Sequence, residues 1–421
     1  MTNTEPTTSD LRVVILNQYY VPDVASTGHL LSELAEYLAS HQLDVNVIAC
    51  QPSYGPPETW EKCPRYRVES GIKVLRMWTT RFPKDRILGR TINSMTFLIQ
   101  LFVRLMFRPN RGEIFLYTTN PPYLGVLGGF ISLFRQHPYV VLLHDSYPQL
   151  AVLVGKIRKD GMIAKVWHRL NRFMYKRARH TIVLCEAAKK LVCENYDIDP
   201  ERVHIIHNWA DPEELVPKPK AESEFAQQYE LVEPFTVLYS GNLGLYYEFE
   251  TILNAAERLK DENFRLVFVG AGGKRDWIEA QIRDRKLSNT LLLPYQPFEK
   301  LPDSLTASDA SLVTIDKGVE GISYPSKLYA SLAIGRPILA LSEGWSELRN
   351  VVEKEDVGFW FELGDDERLA ECIRGMMNNP ARGAAQGHRA RELFLREFTM
   401  EVSADKYKDV LKMAHPTTAV S

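Results

Sequence analysis

The stretch EGISYPSKLYASLAIGRPILA, Glu320 to Ala340, reads as a turn, a short helix, a glycine stop and a strand in direct succession. Tyr324 and Pro325 interrupt whatever precedes them. Ser326 and Lys327 then fall in the first turn of a helix carried by Leu328, Tyr329, Leu332 and Ala333. Gly335 and Pro337 end that helix, and PILAL continues as a buried strand. The start of a helix carries backbone N–H groups without intrahelical partners, and a hydroxyl and an ammonium beside them make a place suited to a phosphate or diphosphate. A capped helix with a solvated lysine has the same pattern, so the choice depends on the remainder of the chain.

That helix-to-strand unit belongs to a series. The second half contains FTVLYS (235–240), RLVFVG (265–270), TLLLP (290–294), ASLVTI (310–315), PILAL (337–341) and VGFWF (357–361), separated by helical patterns. The first half has the same rhythm in RVVILN (12–17), VNVIAC (45–50), KVLRM (73–77), EIFLYT (113–118), YVVLL (139–143), TIVL (181–184) and VHII (203–206). Short β-branched runs alternating with helices predict mostly parallel sheets covered on both faces. Two such series in 421 residues predict an α/β protein of two doubly wound, Rossmann-like domains. Residues 1–10 are polar and expected to be disordered, 11–212 form the first domain, 213–234 a proline-punctuated linker and 235–398 the second domain. Residues 399–421 provide a terminal helix, which could cross back to the first domain, and a tail.

Composition excludes several classes. No apolar run reaches the roughly 18 residues of a membrane span, and no secretory leader is apparent. Five scattered cysteines without metal-ligand spacing fit a reducing compartment and no zinc site, hence a cytoplasmic location. The net charge of −2 conceals an asymmetry: Arg81 to His180 holds 17 Lys/Arg against four acids, a local +13.

Ligands of doubly wound sheets collect at the carboxyl ends of the strands, so the loops after strands are the places to search. After RVVILN comes QYYVPDVASTGHLLSEL, in which Gly28 opens a helix and permits close approach of a ligand, or simply a tight turn. After YVVLL come His144 and Asp145, a histidine at a strand end with a carboxylate next to it. In the second half, FTVLYS runs into Gly241-Asn242-Leu243-Gly244 and RLVFVG into Ala271-Gly272-Gly273, two glycine-rich turns of which Gly270 begins the second.

Taken in order, these loops resemble glycosyltransferase family 4. The matching residues are YYVPDVASTGHLLSELAEYL, LLHDSYPQL, VHIIHNWAD, YSGNLG, FVGAGG and SYPSKLYASLAIGRPILAL, and they cover nearly the whole chain. The SYPSK and HNWAD forms look like the branch found in bacterial capsule, O-antigen and exopolysaccharide assembly. The resemblance implies a GT-B architecture of two facing domains, with retaining sugar transfer from a nucleoside diphosphate sugar in the cleft between them. It implies neither an obligatory metal nor a cofactor. Carried over by position, Gly28 borders the donor diphosphate and the acceptor, and His144 lies by the anomeric centre. Gly241, Asn242, Gly270, Tyr324, Pro325, Ser326 and Lys327 bind the donor, with Ser326 and Lys327 on the diphosphate.

Four positions depart from the family pattern. An arginine after the first glycine and a lysine five residues later are Asn242 and Tyr247 here. The family's paired glutamates align with Ile322 and Ala330; Glu320, two residues away, can act as the catalytic carboxylate only if the loop bulges. Lys327, with Lys274 or Arg275 beyond the second glycine turn, is the candidate to replace the missing charge; the alternative for the last two is a solvated helix face.

Residues 86–111 intersperse arginines with apolar side chains, and Lys156 to Arg179 adds nine bases around Trp167, Phe173 and Tyr175. Bases beside an apolar face fit an anionic membrane surface. Nucleic acid would also be drawn, but no recognition motif accompanies the charge. The sequence therefore predicts a transferase peripheral on the inner face of the cell membrane, extending a polyprenyl-linked saccharide acceptor. Its rivals are a catalytically silent scaffold of the same fold and a nucleotide-sugar epimerase.

Overall fold

In the computed structural model of the chain, residues 11–23, 25–54, 60–82, 87–109 and 112–415 are described. The polar start, residues 1–10, lies outside the described residues, as does 416–421. Two compact units make up the chain: Met1–Val152 with Ile157–His207 and Met400–Ser421, and Leu153–Lys156 with Asn208–Thr399.

The first unit contains β1 (Arg12–Leu16), α1 (Ser26–Ser40), β2 (Asp44–Cys50), β3 (Tyr66–Glu69), β4 (Ile72–Met77), α2 (Ile87–Met106), β5 (Ile114–Thr118) and α3 (Leu124–Arg135). It continues with β6 (Tyr139–Leu143), α4 (Gln149–Leu153), α5 (Met162–Arg177), β7 (His180–Val183), α6 (Glu186–Tyr196) and β8 (Val203–Ile205). Its sheet runs β3-β4-β2-β1-β5-β6-β7-β8, parallel except for β3 against β4. That hairpin has no apolar signal in sequence because all four β3 residues are exposed. It closes at Ser70 and Gly71, both with positive φ.

The second unit contains α7 (Glu224–Gln228), β9 (Phe235–Ser240), α8 (Glu250–Arg258), β10 (Phe264–Val269), α9 (Arg275–Asp284), β11 (Thr290–Leu293) and α10 (Leu301–Thr306). After these come β12 (Ala310–Thr314), α11 (Lys327–Ala333), β13 (Ile338–Leu341), α12 (Glu347–Lys354), β14 (Gly358–Phe361), α13 (Asp366–Asn378) and α14 (Pro380–Glu397). The sheet order is β11-β10-β9-β12-β13-β14, all parallel. Its central strands read as continuous apolar runs because helices cover both faces, and β12 and β13 are buried throughout. The last helix, α15 (Met400–Ala414), belongs to the first unit. There Tyr37 of α1 donates to Asp405 at 2.9 Å and Ser403 to the His207 carbonyl at 2.9 Å.

In both sheets the strand order reverses beside the first strand of the unit, between β1 and β5 and between β9 and β12. The carboxyl ends at these reversals therefore carry the loops that can diverge to admit a ligand.

The segment 213–234, expected to be a linker, is instead built into the second unit. Phe225, Ala226 and Leu231 are buried, Asp303 accepts the Glu224 and Phe225 amides, and Lys220 reaches Asp309 at 2.6 Å. Its polar composition reflects capping groups: Ser223 caps α7 through the Ala226 amide. Asp309 also accepts the Thr236 amide at 2.8 Å, tying the segment to β9. Replacing it, Asp309→Ala, strands the largely buried Lys220 ammonium and is expected to cost about 2 kcal/mol. Urea titration should show a lower midpoint with an unchanged slope.

Candidate functional site

The ends of β9 and β10 in the second unit approach so closely that side chains are excluded. Gly241, Gly270 and Gly272 have φ of 132°, 151° and 155°. A Cβ on Gly270 would lie 1.9 Å from the Gly241 carbonyl oxygen, and one on Gly272 would lie 2.4 Å from the Leu243 backbone. The loops join through Gly241 N–H to Val269 O, Leu243 N–H to Ala271 O (both 2.8 Å) and Lys274 N–H to Leu243 O (2.9 Å). The Tyr239 hydroxyl donates to the Asn242 carbonyl at 2.6 Å, fixing the turn from below.

Lys327 points into this knot. A Cβ on Gly241 would stand 2.8 Å from Lys327 Cε, so the missing side chain is the space the lysine occupies. Its Nζ lies 4.0 Å from the ring centroid of Tyr247 and 4.9 Å from that of Tyr239. Among the described residues no carboxylate pairs with it. Burial pushes its pKa down to about 7, with no charged neighbour contributing. Two aromatic faces accommodate an ammonium at modest gain, but they do not neutralise it.

The first turn of α11 is less open than the sequence implies. Leu328 and Tyr329 donate to the carbonyls of Pro325 and Ser326, leaving the Ser326 and Lys327 amides as the unclaimed ones of that turn among the described residues. Ser326 is exposed and makes no side-chain cap, whereas Tyr324 and Pro325 are buried beneath it. The amide supply is therefore small, and Lys327 is the principal cationic feature of this stretch.

Glu320 lies in the loop after β12, between Gly318 and Gly321 with φ of 74° and 73°. The loop thus bends on either side of the glutamate. Its carboxylate accepts the Glu347 amide at 3.1 Å, at the start of α12, where Ser346 already caps the Arg349 amide. Only 8% of Glu320 is exposed, and burial raises its pKa from 4.5 to about 7, with Glu347 and Glu343 adding to the rise. A structural cap and a titratable carboxyl coincide in this one residue.

Lys274 and Arg275 do not supply loose charge. Lys274 is held 3.2 Å from Asp316 and by the Tyr247 carbonyl, and Arg275 donates to the carbonyls of Gly270 (2.7 Å) and Leu293 (3.2 Å). Both brace the glycine loops, which corrects the expectation that either replaces a missing cation and equally the alternative of a solvated face.

In the first unit, Gly28 sits in the first turn of α1, where a Cβ would come within 3.2 Å of Tyr20 Cα and 3.3 Å of the Tyr19 carbonyl. The crossing of the Tyr19–Tyr20 backbone over the helix start accounts for this glycine. His144 follows β6, half-buried, with its amide donating to Thr119 Oγ1 at 3.3 Å. Gln18 after β1 donates its amide to Asn120 O at 2.9 Å. The loops after β1 and β6 are thereby each tied to the loop after β5, at the sheet's reversal.

Two family models match in sequence order, Glycosyltransferase Family 4 over residues 28–214 and Glycosyl transferases group 1 over residues 221–393. The chain belongs to glycosyltransferase family 4. Its relatives include the probable glycosyltransferase WbjE of Pseudomonas aeruginosa, 28% identical over 70% of this chain and 74% of that protein. The putative colanic acid biosynthesis glycosyl transferase WcaI of Escherichia coli K12 is 26% identical over 93% of this chain and all of its own. Among solved structures, Anabaena HepE in complex with UDP aligns with a TM-score of 0.71 at 16% identity, covering 95% of this chain and 99% of that one. WaaG, a glycosyltransferase involved in lipopolysaccharide biosynthesis, aligns with a TM-score of 0.66 at 14% identity over 95% of this chain and 99% of that one. These structures establish the GT-B fold.

At the position where the resemblance implies a second cation, the Tyr247 ring lies 4.0 Å from the Lys327 ammonium. That pairing is not legible in the sequence. Its only signal there is the aromatic density of YSGNLGLYYEF between two strands.

The Glu320 pKa carries a sign that is testable. A carboxyl at about 7 in the fold and 4.5 when unfolded holds an extra proton in the native state between those values, so stability falls as pH rises through that window. Glu320→Gln keeps an acceptor for the Glu347 amide but cannot ionise. Its Tm should exceed the parent's above pH 7 by roughly 2–4 °C, equivalent to about 1 kcal/mol, and match it below pH 4.5 in a calorimetric pH series.

Proposed function

We propose that this family member is a retaining glycosyltransferase that moves a sugar from a nucleoside diphosphate sugar to a lipid-linked saccharide in cell-surface polysaccharide assembly. The observation that carries the reading is Lys327, a buried ammonium without a carboxylate, set under a glycine turn at a sheet reversal. A cation left unpaired in such a place is stabilised only when an anion arrives, and a diphosphate is the anion that a short glycine loop can approach. The names carried by WbjE and WcaI, and the UDP and UDP-glucose complexes of HepE, support the donor and the process.

In this reading Gly241, Asn242, Gly270, Tyr324, Pro325, Ser326 and Lys327 serve the donor, Gly28 the donor and acceptor, and His144 and Glu320 the transfer step. The acceptor oxygen bonds the anomeric carbon as the diphosphate oxygen leaves, and the hydroxyl proton departs with the diphosphate. The developing charge falls to Lys327, whose fixed ammonium takes the electrostatic part that a divalent ion takes in other transferases. Transfer then proceeds without added metal, and chelator should leave turnover intact. Among the described residues no helix is long and apolar enough to cross a membrane, consistent with attachment at the surface of the inner leaflet.

Offering uridine, guanosine and adenosine diphosphate sugars with membrane extract should show one consumed. Binding of none would favour a silent scaffold. Lys327→Met should weaken binding of the productive donor roughly 10–100-fold in titration calorimetry, the range expected when a charge-assisted hydrogen bond is removed. Its Tm should be unchanged or higher, because the substitution also removes a buried unpaired charge.

Donor binding should also take up a proton. The free lysine titrates near 7 and a bound diphosphate raises it, so affinity is full below pH 7 and falls as pH increases through the free value. Calorimetry in buffers of different ionisation enthalpy should show nearly one proton absorbed at pH 8 and almost none at pH 6. Uptake independent of pH would remove Lys327 from the diphosphate.

A further inference from the structure

The helices joining β4 to β5, β5 to β6 and β6 to β7 all advance across the first sheet in one direction. Right-handed crossovers therefore place α2, α3 and α5 in one layer, where α3 packs beside both others and α6, between β7 and β8, borders α5. In their 20, 12 and 16 residues these helices hold eight Lys/Arg and not one Asp or Glu.

The outer surface of this layer is also apolar where solvent meets it. On α2, Leu88, Met95, Ile99 and Phe102 recur at helical spacing and stay exposed, Leu88 by 72% and Ile99 by 59%, while Phe97, Leu101 and Leu105 fill the core beneath. On α3, Phe130 and Phe134 are exposed, the latter by 67%, and on α5 so are Met162 and Val166. Phe130 meets Phe173 of α5 at 5.1 Å, so the apolar surface is continuous across the two helices. The bases of α5 lie in the same outward rows. Arg172 and Lys176 share Asp197, whereas Lys165 and Arg169 have no carboxylate partner among the described residues.

The opposite side of the same sheet provides an internal comparison. There α1 and α15 pack together, contain Glu33, Glu36, Glu401, Asp405 and Asp409, and expose only one large apolar side chain among the described residues, Met413. An apolar surface of this size on a single side of a soluble unit marks a contact. A protein partner or a second copy would need acids to answer the bases; α2, α3 and α5 have none, and the neighbouring α6 sets Glu186 and Glu194 beside its own Lys189 and Lys190 and exposes no large apolar side chain. Anionic lipid supplies both an apolar phase and negative headgroups.

We propose that the α2–α3–α5 layer is a membrane-insertion face, in which the exposed side chains of α2 and α3 enter the acyl boundary and Lys165 and Arg169 hold anionic headgroups. This deepens the lipid-linked acceptor reading, on which it rests for its biological purpose. Because the apolar part is independent of charge, salt should remove only a fraction of binding.

The full chain is tested by flotation with phosphatidylcholine vesicles, with and without phosphatidylglycerol, at low and high salt. The parent should float with the anionic vesicles and keep part of its binding in high salt. Ile99→Glu with Phe134→Glu should weaken partitioning on the order of tenfold or more, and Lys165→Glu with Arg169→Glu should abolish the preference for phosphatidylglycerol. Met413→Glu on the other side should bind like the parent. Equal loss in Met413→Glu, or no loss in the insertion variants, overturns the assignment. So does a concentration-dependent dimer in sedimentation that Ile99→Glu dissolves while the parent ignores vesicles. Donor titration of the same variants separates the two readings: unchanged nucleotide binding with lost flotation confines the change to the membrane face, whereas a parent that floats yet binds no donor defeats the transferase reading alone.

Discussion

The candidate site of the second unit depends on a close approach of backbone to backbone. Gly241 and Gly270 meet where a single Cβ would stand 1.9 Å from a carbonyl oxygen, and the conformation at each is one that side chains rarely adopt. The loops after two neighbouring parallel strands are thereby fixed against each other by hydrogen bonds at both ends. Lys274 and Arg275, spent on carbonyls and on Asp316, hold that arrangement from outside. Only because the knot is rigid can the tip of Lys327 be kept against Tyr239 and Tyr247 instead of turning out to water.

Much of this is legible in the sequence, and the reasons are specific. All thirteen expected strands are present, and the central ones, buried on both faces, read as unbroken apolar runs visible without periodicity. The strand without a sequence signal, β3, is wholly exposed and has no such run. The segment 213–234 reads as a linker because polarity and proline signal a loop equally when the polar groups cap a docked helix and when they face water. The helix start at Ser326 and Lys327 is legible in the sequence, but the sequence overstates its first-turn amides. A seven-residue helix whose second and third amides are already taken offers little beyond its lysine. Nothing local in the sequence shows which way Lys274 or Arg275 points, since that is settled by Asp316 and by the carbonyls of Tyr247, Gly270 and Leu293.

The two sides of the first sheet show the same lesson at larger scale. Both carry amphipathic helices, and periodicity alone assigns each a buried stripe. What distinguishes them is the outward stripe, acidic and polar on α1 and α15 but acid-free and apolar on α2, α3 and α5. The charge excess of residues 81–180 locates the segment, but the fold is needed to show that helices separated in sequence expose one continuous surface.

The second unit's two unusual titrating groups share a common logic. Burial lowers Lys327 and raises Glu320, each to about 7, so in each case it shifts the balance toward the uncharged form. A family pattern with several cations around a diphosphate must hold those charges apart in the absence of ligand, at a cost in repulsion and desolvation. Here one cation is retained, the neighbouring position is an aromatic face, and the remaining lysine can shed its proton when nothing negative is bound. The unit therefore avoids much of the penalty of a preformed cationic pocket. In exchange it gains less from electrostatic preorganisation, because the ligand must draw a proton onto Lys327 before the full attraction exists. On the proposed reading, selection for a dianionic ligand follows from the same balance: a neutral sugar cannot supply the free energy that recharges the desolvated Lys327 amine, whereas a diphosphate can.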